Sequence, residues 1–257
     1  MKKLFALLLA AIMVLSLAAC GAKKDDKMVY AVEAGSAGEA AAKEAGFEIN
    51  SVDTQAKALM EVQSGTSAAA IIDSLMAGAM VGEGTSYPDL KVTDQKLTEE
   101  LYGVGCRKGS NLAAFINGVF AETYAAGTMQ EIATTYGVQE ALVEQKSEII
   151  DVPTDGDVAN IVKNGKLIVG ITDFAPMDYK DDKGEWIGFD ADMAKIVAEK
   201  LGVEIEFVEI DWDSKIMELD SGNIDVVWNG MTMTDAVLEA MECSVAYCNN
   251  AQVVVNK

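Results

Sequence analysis

The phrases "KALMEVQSG" (57–65) and "SKIMELDSG" (214–222) are nearly the same amphipathic run, and both stop at Ser-Gly before a short apolar stretch. Each copy sits inside a strand–helix alternation, and this pairing constrains the fold more than any other feature. Around the first copy, "MVYAVEAG" (28–35) reads as a strand, "SAGEAAAKEAG" (36–46) as a helix closed by glycine, and "FEINSV" (47–52) as a second strand. The phrase itself lies in "DTQAKALMEVQSG" (53–65), a helix for which Asp53 is the N-cap candidate; the strand "AAAIID" (68–73) and the helix "SLMAGAMVG" (74–82) follow.

Around the second copy the same grammar returns. "KLIVGITD" (166–173) is an apolar strand, and "FDADMAKIVAEKLG" (189–202) is a helix whose Met193, Val197 and Leu201 share one stripe. "VEIEFVEID" (203–211) alternates as a half-buried strand does, then come the repeated helix, the strand "NIDVVWNG" (223–230) and a last strand "AQVVVNK" (251–257). Strands alternating with helices imply mostly parallel sheets covered on both faces. Two similarly built α/β lobes explain why the phrase occurs twice. Between them, "LYGVGCRKGS" (101–110) is extended, 111–127 and 128–137 are helices closed by glycine, and 138–157 mixes charge, proline and glycine as a linker does.

The first twenty residues, "MKKLFALLLAAIMVLSLAAC", have two lysines, an apolar run and small residues before Cys20. This is the pattern of a secretory signal over 1–19, too short for a stable membrane span. Leu17-Ala18-Ala19-Cys20 resembles a bacterial lipobox, which implies lipidation at Cys20, a short tether over 20–27 and an extracytoplasmic protein anchored to the membrane by lipid. Half of the residues are hydrophobic and the formal charge is −21, so a core is expected and nucleic acid is not an expected partner. The chain has no histidine and a single arginine, Arg107, and its cysteine spacing fits no zinc pattern; neither a metal nor a cofactor is expected. Of Cys106, Cys243 and Cys248 an odd thiol must remain, with packed free thiols favoured over a pair.

In open α/β sheets ligands bind beyond the carboxyl ends of strands. Ser36 there, with Glu39 three residues on, reads as a capping box whose free N–H groups can also hold a carboxylate. Asp73 ends a strand and reads as the N-cap of the helix that follows. Phe174 and Trp212 follow strands and are core aromatics by periodicity. Asn229, Gly230, Met231 and Thr232 form a strand-to-loop end.

"GFDADMA" (188–194) and "SGNIDVVWNGMTMT" (221–234) resemble extracytoplasmic solute-binding proteins, of the polar amino-acid family that serves ABC importers. The resemblance implies two α/β lobes of the periplasmic-binding-protein-like II type, joined by two crossover strands around a ligand cleft. It implies that the ligand meets Phe174, Trp212, Asn229, Gly230, Met231, Thr232, Ser36 and Asp73. It also implies a different order: the lobe holding 166–194 comes first in that family, so this chain reads as circularly permuted. On that basis 28–100 is the second lobe, 101–108 a crossover strand, 109–248 the first lobe with 138–157 joining the family's usual termini, and 249–257 a second crossover strand.

One departure bears on the ligand. Where the family commonly has an arginine that clamps a carboxylate, "TDAV" (234–237) puts Val237. Arg107 falls on the crossover strand, and Lys215 is expected to stay solvated on its helix. The expected function is capture of an amino acid or similar small polar solute by a monomer that docks on ABC permease subunits, without catalysis. A sensory binding module and a dehydratase-like enzyme, for which Asp73 or Asp173 would serve as acid or base, are the rivals.

Overall fold

The computed structural model describes residues 28–257, so the expected signal, tether and Cys20 lie outside the described residues. Chain order begins with β1 (Val29–Glu33), α1 (Ala37–Glu44), β2 (Glu48–Val52), α2 (Gln55–Ser64), β3 (Ala69–Asp73), α3 (Ser74–Met80) and β4 (Lys91–Lys96). It continues through β5 (Glu100–Tyr102), β6 (Gly105–Arg107), α4 (Leu112–Ala126), α5 (Thr128–Thr135), α6 (Gly156–Asn164) and β7 (Lys166–Ile171). A small hairpin of β8 (Tyr179–Lys180) and β9 (Trp186–Ile187) precedes α7 (Phe189–Leu201), β10 (Glu204–Glu209) and α8 (Lys215–Ser221). The last elements are β11 (Val226–Val227), α9 (Asp235–Ala240), β12 (Met241–Cys243), β13 (Cys248–Asn250) and β14 (Gln252–Asn256).

Two five-stranded sheets result, ordered β2-β1-β3-β14-β4 and β10-β7-β11-β6-β12. Within each, the strands local to the lobe run parallel, and the strand arriving from the other lobe pairs antiparallel: β14 beside β3 and β4, β6 beside β11 and β12. The chain thus passes between lobes twice, and β5 and β13 pair with each other midway. Of the segment expected as a second crossover, 249–257, only the first residues cross. The rest is β14, held on both sides, with Val253, Val254 and Val255 buried.

Both copies of the repeated phrase are scaffold. Helices α2 and α8 end at Gly65 and Gly222, each left-handed (φ 82° and 78°), where a side chain would be strained. They bury Leu59 and Val62 in one lobe and Leu219 in the other. The α2 N-cap is Thr54, whose hydroxyl accepts from Lys57 N at 3.1 Å; Asp53, one residue earlier, pairs with Lys57 instead. The linker expected at 138–157 runs into α6, whose Val158 and Ile161 are buried. All three described cysteines are unpaired thiols.

Because β14 satisfies the facing edges of β3 and β4, deleting residues 252–256 should abolish cooperative unfolding of the first sheet rather than merely loosen the cleft. Urea unfolding followed by circular dichroism checks this; an unchanged midpoint would show β14 to be dispensable.

Candidate functional site

The carboxyl ends of β1, β3, β7, β10 and β11 point into the gap between the lobes, where a cavity of about 520 Å³ opens. That volume suits a small solute, for which sites of about 300–1,000 Å³ are usual. All eight residues singled out from sequence line it: Ser36 and Asp73 from one lobe, Phe174, Trp212 and Asn229 to Thr232 from the other. Val237 lines it too, while Asp173 borders a separate depression beside Pro176 and Tyr179.

The aromatics resolve as both core and wall. Phe174 is 3% exposed and Trp212 7%, each packed into its lobe's core while one side borders the cavity. Gly230 makes room for Phe174: it is left-handed (φ 56°), and a Cβ there would collide with the phenyl ring. Its N–H donates to Asp190 Oδ2 at 2.6 Å, and Tyr247 Oη donates to the same oxygen at 2.7 Å, so a buried carboxyl fixes the loop from behind.

Several side chains are committed elsewhere than their positions suggest. Asn229 Nδ2 donates to Thr172 Oγ1 at 2.7 Å and its Oδ1 accepts from Thr172 N at 2.9 Å, which leaves its backbone facing the cavity. Thr232 donates its hydroxyl to Glu100 Oε2 at 2.9 Å, so only its oxygen lone pairs remain for a solute. Ser36 caps α1 by accepting from Glu39 N at 3.0 Å, but Glu39 reaches back to Gly35 N rather than to the cap residue's own N–H. Asp73 stands at the N-cap of α3 and makes no side-chain cap bond. Its carboxyl is taken by Gln55, Asn250 and Gln252, the last at 2.9 Å.

Sequence reasoning missed Glu33 and Gln55 and placed Lys215 in solvent. The burial of Glu33 was signalled only by an acid closing an apolar strand. Its carboxyl is pushed up to about 8 by burial, with Asp73 adding to the rise and Gln55 and Lys215 opposing it. Asp73 is pushed up to about 7, again by burial first and then by Glu100. Lys215, expected in solvent, is buried because α8 begins at the cleft rather than on the outer surface; its Nζ donates to Gly35 O of the other lobe. Arg107 is spent on Asp157, Asp225 and the Ile224 carbonyl, away from the cavity. Five carboxyl side chains and two lysines line the cavity, Lys43 being paired with Glu39 at 2.9 Å. Among the described residues no cluster could hold a metal ion, and no helix is long and apolar enough to cross a membrane.

Residues 167–257 match the model of the bacterial extracellular solute-binding proteins, family 3. The chain is 37% identical over 93 residues to the arginine-binding extracellular protein ArtP of Bacillus subtilis, covering 36% of each. It is 31% identical over 105 residues to the L-cystine-binding protein TcyJ of Escherichia coli, covering 40% of each. Among solved structures it is similar to an ancestral cationic amino acid solute binding protein, at 41% identity over 33% of this chain and 37% of that one, with a TM-score of 0.32. The matches therefore span well under half the length of these relatives. Through this stretch the chain is similar to the bacterial extracellular solute-binding proteins, family 3.

The raised carboxyls set a pH dependence. In the unfolded chain such groups ionise near pH 4, whereas Glu33 and Asp73 hold their protons to about 8 and 7 in the fold. Between those limits the folded chain binds more protons than the unfolded one, so stability falls as pH rises. Asp178 and Asp190, raised by burial as well, act in the same direction. Thermal unfolding of the ligand-free protein should accordingly shift upward from pH 8 to pH 5, and Glu33→Gln should flatten part of that slope. A slope of the opposite sign would contradict the buried, protonated state of these groups.

Proposed function

We propose that this chain is a lipid-anchored solute-binding protein that captures an amino acid or similar small polar solute and presents it to ABC permease subunits. The observation that carries the reading is the acid-rich cavity shared by two lobes that the chain joins twice. Solute bound there touches both lobes at once, which couples binding to their closure. Acids outnumber lysines in the lining, Val237 contributes no charge, and Phe174 and Trp212 offer aromatic walls. The solute class so favoured is a zwitterion or cation rather than a dicarboxylate.

The names of the curated relatives support transport binding over catalysis. Asp73 is clamped by three side-chain amides, which suits a fixed partner for a solute amine better than a proton shuttle for a dehydratase. The permuted order is part of the same proposal. It is supported by a family match confined to 167–257 and by geometry: Tyr30 and Asn256 both lie in register with Ala69, on its two sides. With strands about 4.8 Å apart, those two residues stand about 10 Å from each other, a gap that a short loop would bridge.

Calorimetry against the twenty amino acids should find binding of a neutral or cationic member, with aspartate and glutamate inert. Phe174→Ala and Trp212→Ala should each weaken that binding by about 0.5–2 kcal/mol if the walls stack on solute. Tight aspartate or glutamate binding alone would sink the assignment of solute class. Cys20→Ala, with signal processing verified, should release the protein from membranes at unchanged affinity; continued membrane fractionation would refute the lipid anchor.

A further inference from the structure

Lys215 is 7% exposed and borders the cavity. Its Nζ donates to Gly35 O of one lobe and to Trp212 O of the other, both at 2.9 Å, and stands 4.6 Å from the centre of the Trp212 indole ring. An ammonium carries three N–H donors, so two neutral carbonyls leave one. Glu33 and Asp213 face it, but among the described residues no carboxylate oxygen reaches the 4.0 Å of an ion pair. A charge withdrawn from water without a counter-ion is costly, and here the missing counter-charge can come from the cavity. The same ammonium already covers one region of the Trp212 ring, so a solute cation is drawn instead toward Glu33 and Asp73, displacing a proton that the empty cleft holds there. The lobes meet closely at this point: a Cβ on Gly35 would lie 2.6 Å from Asp213 Cα.

We propose that Lys215 determines the specificity of the cavity, its ammonium spanning the cleft and receiving an anionic group of the solute. The preferred solute then carries a carboxylate at Lys215 as well as a positive group toward Asp73. This rests on the solute-binding function proposed above. Val237 supplies no competing charge, and Lys43, the other lysine of the lining, is engaged with Glu39.

Calorimetry with amino acids and their decarboxylated amines separates this role from simple packing. The pairs are L-arginine and agmatine, L-lysine and cadaverine, L-histidine and histamine, and the tightest binder of the other amino acids with its own amine. The wild-type protein should favour the amino acid in at least one pair by roughly ten- to a hundred-fold. Lys215→Met should erase that gap by weakening the amino acid alone, and Lys215→Arg should restore part of it. Thermal unfolding monitors each variant, and Lys215→Gln, which keeps donors for the two carbonyls, is read if Lys215→Met does not fold. Equal weakening of both members of a pair, or a gap that survives loss of the charge, overturns the role of Lys215. If no amino acid and no amine binds the wild-type protein, the solute-binding reading itself fails.

Discussion

Asp73 and Glu100, with the amides between them, tie the whole molecule together. Asn250 and Gln252 each donate to both carboxyls, Thr232 donates to Glu100, and Gln55 donates to Asp73. Those six residues come from α2, β3, both crossings, β14 and the loop after β11. Two carboxyls placed this close in a dry setting repel, and each stays tolerable only because several N–H donors point at it. The floor of the cavity, the hinge and the central strand of one sheet therefore share one network. A change at any member is felt at the others.

The two lobes meet by backbone approach as much as by side chains. Gly35, left-handed at φ 69°, comes against Asp213, and the carbonyl of Gly35 takes the Lys215 ammonium. Glycine is needed on both counts, for conformation and for space. Contact between the lobes also withdraws ionisable groups from water on both walls, with Glu33 and Asp73, which answer burial by holding their protons, on one side and the Lys215 ammonium on the other. Desolvation of that kind works against an empty closed cleft and in favour of one whose occupant complements both poles.

Much of this was legible in the sequence, for identifiable reasons. Left-handed glycines at helix ends, alternating strands and the doubled phrase are local signals, and local signals survive in one dimension. So do residues at strand ends, and these together with the resemblance to solute-binding proteins gathered Ser36, Asp73, Phe174, Trp212 and Asn229 to Thr232 as the candidates that line one cavity. What escaped depends on neighbours distant in the chain. Gln55, Glu100, Asn250 and Gln252 are unremarkable polar residues until β14 is slotted beside β3. The burial of Lys215 needs the other lobe in place. Strand β4, "KVTDQK", hid because it lies at the sheet edge with mostly exposed side chains, so it lacks an apolar run. The start of α6 hid inside a stretch whose charge and proline content argued for a connection.

The position of β14 carries a consequence for how such a chain acquires its structure. Strand β3, every residue of which is buried, waits for a neighbour that lies some 180 positions further along, on the far side of the whole other lobe. Pairing across that separation is entropically slow. Until it forms, an apolar strand edge stands open, the kind of surface that other chains can add to. The lobe of 109–248 has most of its strands and helices within one contiguous stretch and can form early. The lobe of 28–100 completes its sheet last, by accepting a strand delivered from the other lobe. Folding of the cavity and folding of that sheet are thus one event.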